Sequence, residues 1–201
     1  MNFGGFLACS FSDYPGHLAA VVFAQGCNFC CPFCHNADLL APQAGPLQES
    51  DVLTTLRERR RQLEGVVVSG GEPTLQPDLP AFLIELRRMG YQIKLDTNGS
   101  RPEVLRALIA ARLVDFIAMD VKAPWEKYSE LAGVPLKPER LQQSVALIAS
   151  SGLPHQFRTT HVTLLLSPQD MAAIRAQVPD GSDYRVQPFH PEHALSPALR
   201  K

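Results

Sequence analysis

Four of the five cysteines in this chain lie in one short stretch, at Cys27, Cys30, Cys31 and Cys34. Cys27, Cys31 and Cys34 have C-x3-C-x2-C spacing, which places three thiolates within reach of one another on a single loop. Thiolate sulfur is a good ligand for iron–sulfur clusters and for zinc. A cubane cluster needs four ligands, so three cysteines leave one iron open to the amino and carboxylate groups of a small molecule. The spacing therefore predicts an iron–sulfur site at which a bound small molecule receives an electron.

The same cysteines allow two simpler interpretations, which are a structural zinc site completed by His35 and a set of buried thiols. Structural zinc normally has four protein ligands, often as two separated pairs, and no second cysteine pair follows Cys34. Five cysteines are an odd number, and four of them crowd into one loop, which does not suit a disulfide framework and favours a reduced compartment and a metal. Spacing alone does not choose among the four thiols. Because the adjacent Cys30 and Cys31 point in different directions, we predict that Cys30 is a bystander.

The length and composition predict a single domain, residues 1–201, because a chain of this size with 45% hydrophobic side chains supports one core. Nineteen basic residues against twenty acidic ones give a formal charge of -1, which argues against nucleic acid or an acidic membrane as a partner. Residues 1–24 lack the features of a secretion signal, and no later segment is long enough to span a bilayer. We therefore expect a cytoplasmic protein with no nucleic-acid or membrane partner.

Apolar runs of strand length alternate with helical periodicity along the chain, which predicts a parallel sheet with helices packed on it. The six predicted strands are Leu18 to Ala24, Gly65 to Ser69, Tyr91 to Asp96, Val114 to Asp120, Gln156 to Leu166 and Tyr184 to Gln187. The predicted helices are Glu49 to Leu63, Asp78 to Met89, Pro102 to Arg112, Pro138 to Ser151 and Pro168 to Gln177. A complete eight-stranded barrel takes about 250 residues. The shorter chain therefore favours an α/β fold, a partial (β/α)6 TIM-like barrel with one open side.

Polar and glycine-rich segments occur at the ends of these strands. The cysteines follow the first strand, Gly70-Gly71-Glu72-Pro73-Thr74 follows the second, and Asp96-Thr97-Asn98-Gly99 follows the third. Asp120 and Lys122 close the fourth strand, Arg158 lies within the fifth, and His190 follows the sixth. The carboxyl ends of parallel strands point to one face, where the βα loops build active sites. Five of the six features fall on that face, which predicts a single active site.

The cysteine-containing string Gly26-Cys27-Asn28-Phe29-Cys30-Cys31-Pro32-Phe33-Cys34-His35-Asn36 resembles the cluster loop of radical S-adenosylmethionine (radical SAM) activating enzymes. Gly70-Gly71-Glu72-Pro73 is similar to the family's methionine-binding segment, and Ser12-Asp13-Tyr14-Pro15-Gly16 to the opening region of glycyl-radical activases. The likeness extends over nearly the whole chain. It is strongest to activases of the anaerobic ribonucleoside-triphosphate reductase and next to pyruvate formate-lyase activating enzymes. Related loops more often carry a basic or other non-cysteine residue where this chain has Cys30.

The resemblance implies a [4Fe-4S] cluster ligated by Cys27, Cys31 and Cys34, with S-adenosyl-L-methionine bound at its open iron. The positions that match the family's cofactor pocket are Phe33, Cys34, His35, Gly70, Gly71, Glu72, Asp120, Val121, Lys122 and His190. The two glycines would let backbone groups approach the cofactor's ammonium, with Glu72 as an anionic acceptor there. Phe33 would pack against adenine or shield the cluster from water. Without the resemblance, an ordinary Gly-Gly turn and a solvated Asp120–Lys122 ion pair explain the same residues.

The resemblance also implies a monovalent cation bound by Asp96, Thr97 and Asp120 beside the cofactor. Asp96 could equally cap the turn that follows it. Arg158 has two predicted partners, the carboxylate of the cofactor and Glu72, and the sequence does not choose between them.

As a radical SAM oxidoreductase, the protein would use one electron from the cluster to cleave S-adenosyl-L-methionine into methionine and a 5′-deoxyadenosyl radical. In an activase that radical removes hydrogen from a backbone glycine of a partner enzyme, here expected to be the anaerobic ribonucleotide reductase. Because no second cysteine cluster follows, the electron is expected from an external donor such as flavodoxin or ferredoxin.

The alternatives are a pyruvate formate-lyase-type activase, another small radical SAM enzyme such as a deazaguanine synthase, and a non-catalytic zinc or iron–sulfur module. Cys-Pro-Phe-Cys-His-Asn favours an activase, because deazaguanine synthases usually depart from this string after the third cysteine.

Overall fold

Seven strands form one sheet in the computed structural model, which describes residues 1–200. They are β1 (Phe3–Ser10), β2 (Ala19–Ala24), β3 (Gly65–Gly70), β4 (Gln92–Thr97), β5 (Phe116–Asp120), β6 (His155–His161) and β7 (Asp183–Pro188). Their order in space follows their order in the chain, with β1 antiparallel to β2 and every later pair parallel. The predicted parallel α/β fold is therefore confirmed, and the six predicted strands are present as β2 to β7.

Within the described residues, six α-helices connect the strands. They are α1 (Glu49–Glu58), α2 (Leu79–Arg88), α3 (Pro102–Ala110), α4 (Tyr128–Ala132), α5 (Glu139–Ala149) and α6 (Pro168–Gln177). Ser167 and Asp170 form a reciprocal capping box at the start of α6, which satisfies backbone donors that the first helical turn leaves free. None of the helices in residues 1–200 has the length and apolar character needed to cross a bilayer.

Two elements, β6 and α1, end earlier than predicted, and two others, β1 and α4, were not predicted. β1 was not predicted, because its segment contains Gly4 and Gly5 and a glycine pair is unfavourable inside a strand. β6 ends at His161 instead of Leu166, because Leu166 donates its backbone hydrogen bond back to Val162 in a turn. α1 ends at Glu58, where the chain turns towards β3, and the short helix α4 was too brief to show a helical period.

The two faces of the sheet bury different side chains, as the alternation of a strand requires. Val66 and Val68 of β3 belong to the main apolar core beneath the helices. Val67, between them, packs on the opposite face in a small apolar cluster with Tyr14 and Val21. That opposite face is the interior of the partial barrel, and beyond the small cluster it carries polar side chains.

The barrel is open on one side, because β1 and β7 form the two edges of the described sheet. β7 is exposed along most of its length, and Val186 in it is 51% exposed. The carboxyl ends of β2 to β7 therefore surround a space that can be entered from the side of β7.

Candidate functional site

A cavity lies at the carboxyl ends of the parallel strands, on the interior face of the sheet. Cys27, Cys31 and Cys34 line it together. The other predicted site residues that line it are Phe33, His35, Gly70, Gly71, Asp120 and Lys122, whereas Glu72, Val121 and His190 are not among its lining residues. The structure thus brings most of the predicted site to one cavity.

The cysteine loop, residues 26–36, contains no helix or strand and takes its shape from distant contacts. The Cys30 N–H donates a hydrogen bond of 2.8 Å to the carbonyl of Ala132 at the end of α4. Gly133 follows with a φ of 68°, and a side chain at this position would overlap the carbonyl of Cys30. The short helix α4 and the glycine after it therefore support the cysteine loop.

The four thiols of the loop differ in burial. Cys31 is 5% exposed, Cys27 and Cys34 are half-buried, and Cys30 is exposed and is not among the residues that line the cavity. The Cys27 sulfur accepts a hydrogen bond of 3.4 Å from the Phe29 N–H. Burial raises the pKa of Cys27 to about 11, so this thiol needs a bound cation to become a thiolate near neutral pH.

Among residues 1–200, no three Cys, His, Asp or Glu side chains converge closely enough to bind one metal ion. A cubane cluster makes a different demand, because each cysteine ligates a separate iron atom. Three thiols that line one cavity, in a loop free of regular structure, fit that demand.

Gly70 is the last residue of β3, and Gly71 follows it. At these two residues the backbone lies very close to β2 and to the cysteine loop. Gly70 has a φ of 113°, and a side chain there would overlap the backbone of Ala24 on β2. A side chain on Gly71 would overlap the carbonyl of Gly26 in the cysteine loop. These glycines were predicted to allow a close approach by the ligand, and the packing of β3 against β2 and the cysteine loop already requires them.

Glu72 is completely buried, and its carboxylate is fully engaged within the protein. It accepts hydrogen bonds from the Thr74 N–H at 3.0 Å, the Thr97 hydroxyl at 2.8 Å and the Asn98 N–H at 2.6 Å, and also from the Thr74 hydroxyl. Its own N–H donates to the Gly26 carbonyl at 2.9 Å. Burial raises the pKa of Glu72, and these hydrogen bonds oppose the rise. In place of the predicted contact with the cofactor's ammonium, Glu72 ties β3, β4 and the cysteine loop together.

Val121 was predicted to line the cofactor pocket, but it is not among the residues that line the cavity. Its side chain is fully buried in the main core, its N–H donates to the Arg158 carbonyl at 2.8 Å, and its carbonyl accepts from the Thr159 hydroxyl at 2.6 Å. The alternation of extended backbone that turns Val121 inward turns Asp120 and Lys122 towards the cavity.

Five charged side chains form what we call the charge network: Lys94, Asp96, Asp120, Lys122 and Arg158. Arg158 lies opposite Asp120 in the register of β5 and β6, and its Nε is 3.0 Å from Asp120 Oδ1. Arg158 also lies 3.4 Å from Asp96 Oδ2, and Lys122 Nζ lies 3.2 Å from Asp120 Oδ2. Lys94 pairs with the other oxygen of Asp96. Arg158 thus pairs with the two aspartates instead of with Glu72.

Asp120, Lys122 and Arg158 favour one another's charged forms. Burial alone would raise the pKa of Asp120, but Arg158 and Lys122 hold it at about 2. Desolvation would lower the pKa values of Lys122 and Arg158, yet the Asp120 carboxylate raises both. Three cations against two carboxylates leave one positive charge in the network, which suits a ligand that carries a carboxylate.

Aromatic side chains border the cavity on the side of the cysteine loop. Phe33 is 5% exposed, and Lys122 Nζ lies 6.0 Å from the centre of its ring. His35 stacks on Phe189, with 5.6 Å between ring centres, and burial lowers the pKa of His35. The His190 backbone N–H donates to His35 Nε2 at 3.3 Å, but the His190 side chain is exposed. His190 is not among the residues that line the cavity, and its contact with the cofactor stays a prediction.

Two residues that belong to this region were not singled out from the sequence. Ser69 lines the cavity and donates a hydrogen bond of 3.0 Å to Asp96. Lys94 pairs with Asp96 from deeper in the sheet. The period-two alternation of their strands could have identified both residues, because it places both side chains on the interior face of the sheet.

Comparisons with known proteins give a family and several relatives. The model of the Radical SAM superfamily matches residues 21–176. A Methanocaldococcus jannaschii protein, provisionally named a glycyl-radical enzyme activating enzyme, is 32% identical over 205 residues, which cover 98% of this chain and 83% of the relative. A 7-carboxy-7-deazaguanine synthase of Neisseria meningitidis serogroup B is 34% identical over 108 residues, which cover 54% of this chain and 45% of that protein.

Solved structures share the fold. The crystal structure of Streptococcus suis SuiB bound to S-adenosylmethionine has a TM-score of 0.68 and 17% sequence identity to this chain. The match covers 85% of this chain and 40% of SuiB. At this level of identity, the similarity concerns the fold alone.

Proposed function

The chain belongs to the radical SAM superfamily, and we propose that it is an activase that generates a glycyl radical on anaerobic ribonucleoside-triphosphate reductase. Family membership makes it an enzyme and implies a [4Fe-4S] cluster and S-adenosyl-L-methionine. The observation that carries the activase proposal is the similarity to the Methanocaldococcus jannaschii relative over 98% of the chain. The resemblance of the cysteine-loop string to reductase activases supports the choice of partner.

We assign the cluster to Cys27, Cys31 and Cys34, because these three thiols line the cavity and the exposed Cys30 does not. When bound, the cluster supplies the electron that cleaves S-adenosyl-L-methionine. The hydrogen bond from the Phe29 N–H to the Cys27 sulfur and the burial of Cys31 are features that tune the reduction potential of such a site.

The strand ends are proposed to orient the organic cofactor. Lys122 and Arg158 supply positive charge for the carboxylate of its methionine part, and Asp120 holds both cations in place. Phe33 and His35 lie on the other wall and offer ring surfaces for the adenine. His190 lies at the mouth beside His35 and would reach the cofactor only after its side chain turns inward.

The open side of the barrel supports a protein substrate. Gln187 lines the cavity and belongs to the exposed edge strand β7, so the cavity extends to the surface there. An extended loop from a partner can enter beside an unpaired strand and present one backbone glycine. Residues 1–201 would act as one domain in this complex.

The electron is proposed to come from an external donor such as flavodoxin or ferredoxin, which would approach the exposed part of the cysteine loop near Cys30. We place the protein in the cytoplasm, where a reducing environment keeps the loop thiols free to bind iron.

The test is anaerobic reconstitution of the protein with iron and sulfide, followed by addition of S-adenosyl-L-methionine, dithionite and anaerobic ribonucleotide reductase. Electron paramagnetic resonance should show a glycyl radical on the reductase, and stoichiometric 5′-deoxyadenosine should form. The matched controls are Cys31→Ala, which should give neither signal, and Cys30→Ala, which should give both. Cofactor cleavage without a radical on the reductase would rule out this partner, and the same assay with pyruvate formate-lyase would then test the alternative activase. Reconstituted protein that holds zinc alone and cleaves no cofactor would favour the non-catalytic module.

A deazaguanine synthase is the second candidate, because the Neisseria meningitidis enzyme matches 54% of the chain at 34% identity. A cavity with the polar side chains Ser69, Thr160 and Gln187 also offers hydrogen bonds to a small heterocycle. Incubation of the reconstituted protein with the deazaguanine precursor separates the two functions. Turnover to 7-carboxy-7-deazaguanine would favour the synthase, and its absence beside a glycyl radical would favour the activase.

A further inference from the structure

Lys94 is a charged residue in the interior of a central strand. It lies between the buried Ile93 and Leu95 of β4 and is itself 2% exposed. Alternation places Lys94 and Asp96 on the same face of the sheet, and the Lys94 ammonium contacts Asp96 Oδ1. A buried lysine needs a compensating partner, and here the partner is an aspartate that lines the cavity.

The resemblance to glycyl-radical activases implies a monovalent cation at Asp96, Thr97 and Asp120. Each of these side chains has other partners in this protein. Both oxygens of Asp96 are occupied, by Lys94 on one side and by Arg158 and Ser69 on the other.

The other two positions are engaged as well. The Thr97 hydroxyl donates to Glu72 at 2.8 Å and accepts from the Gly99 N–H at 3.1 Å. Asp120 has Arg158 on Oδ1 and Lys122 on Oδ2. Every side-chain oxygen at these three positions thus already has a partner in the protein, so a monovalent cation would have to compete with that partner at each oxygen.

The charge balance leads to the same conclusion. The charge network already holds three cations against two carboxylates. The Glu72 carboxylate, which is bonded to Thr97, brings the count to three cations and three carboxylates, so no carboxylate at the site is left for a further cation to neutralise.

We propose that Lys94 is a built-in counter-ion that takes the place of a monovalent cation beside the cofactor. The Lys94 ammonium neutralises Asp96 from below the cavity, so the Arg158 guanidinium is held between two aspartates without a bound metal ion. Lys94 is a positioning residue in this arrangement, since it acts on the cofactor through Asp96 and Arg158. The protein consequently binds S-adenosyl-L-methionine equally well with and without Na⁺ or K⁺.

The experiment measures the affinity of the cluster-loaded protein for S-adenosyl-L-methionine in potassium chloride, sodium chloride and tetramethylammonium chloride at equal ionic strength. The wild type should have the same dissociation constant in all three salts. Lys94→Met, which keeps the length of the side chain and removes its charge, should bind about tenfold more weakly in tetramethylammonium, and K⁺ or Na⁺ should restore its affinity. Lys94→Arg, which keeps the charge, and Lys137→Met, at an exposed position, should both remain insensitive to the cation.

A second measurement does not depend on turnover or on the identity of the partner enzyme. Crystals of the wild type and of Lys94→Met soaked in Rb⁺ should differ, with an anomalous peak beside Asp96 in the variant alone. A Rb⁺ peak at Asp96 in the wild type, or a wild-type affinity that falls about tenfold without K⁺ and Na⁺, would overturn the proposal. A folded Lys94→Met protein that neither binds Rb⁺ nor responds to K⁺ would overturn it too. If Lys94→Met does not fold, the salt dependence of the wild-type affinity and the Rb⁺ soak of the wild-type crystals still test the proposal.

Discussion

The two walls of the cavity are built in different ways. The cysteine loop has no regular structure, and its shape depends on separate segments, such as α4 through Ala132 and the chain after β7, where the Ser196 N–H donates to the Pro32 carbonyl at 2.8 Å. Four of the five residues of the charge network lie on β4, β5 and β6, where hydrogen-bonded register fixes each side chain relative to the next, and Lys122 follows two residues after β5. The wall proposed to face the organic cofactor is therefore set mainly by the sheet, whereas the wall proposed to hold the cluster depends on contacts from several parts of the chain.

This difference assigns a separate task to each wall. A loop without helix or strand can adjust to a cluster, because ligand bonds themselves contribute to the folded conformation. A network on rigid strands cannot adjust as easily and must have its geometry in place before the ligand arrives. Glu72 connects the two walls. Its N–H donates to the Gly26 carbonyl of the cysteine loop, and its carboxylate accepts from the Thr97 hydroxyl at the end of β4 and from the Asn98 N–H just after it.

The largest expected effect separates two adjacent residues of the cysteine loop. Cys31→Ala should abolish the cluster and all cleavage of S-adenosyl-L-methionine, because the remaining two thiols that line the cavity cannot hold a cubane. Cys30→Ala should retain both, because its thiol is exposed outside the cavity. Iron and sulfide content, visible absorbance and 5′-deoxyadenosine formation measure the outcome. Loss of the cluster in Cys30→Ala with retention in Cys31→Ala would reverse the ligand assignment.

A smaller effect is expected where the two walls meet. Glu72→Ala should lower the free energy of unfolding by about 3 kcal/mol, because it leaves the buried N–H of Asn98 and the hydroxyl of Thr97 without their acceptor. Glu58→Ala, at an exposed position of α1, should change it by less than about 0.5 kcal/mol. Urea unfolding of the cluster-free chain measures both. If Glu72 instead serves mainly the cofactor's ammonium, the unfolding curve would stay near that of the wild type and only cofactor affinity would fall.

The sequence was sufficient to predict the six parallel strands and the edge at which their functional residues meet, because short apolar runs and the turn residues after them are local signals. It predicted Asp120 and Lys122 on the cavity for the same reason. The surroundings of Glu72 were not predictable, because they depend on how the ends of β3 and β4 and the cysteine loop approach one another. Alternation alone places Lys94 on the same face of β4 as Asp96, but the burial that makes the aspartate a necessary partner is visible only once the sheet is packed.

The smallest effect tests the charged wall by pH. The pKa of Asp120 is held at about 2, below its ordinary value of 3.8, chiefly by Arg158 and Lys122 against the effect of burial. A lowered pKa stabilises the folded state above the unfolded pKa, and that stabilisation is lost as the pH falls through the folded value. Because the Asp120 side chain is 32% exposed, we expect Asp120→Asn to cost only about 1 kcal/mol near neutral pH.

The stability difference between wild type and Asp120→Asn should therefore stay constant down to about pH 4 and shrink towards zero near pH 2. Denaturant unfolding of the cluster-free chain across this range measures it, with Asp180→Asn at an exposed turn as the control. A difference that persists undiminished at about pH 2 would mean that the aspartate acts through hydrogen-bond geometry and not through its charge. In that case the pairing of the strands alone would fix the geometry of the charge network. The positive charges of Arg158 and Lys122 would then contribute to ligand binding and not to the stability of the fold.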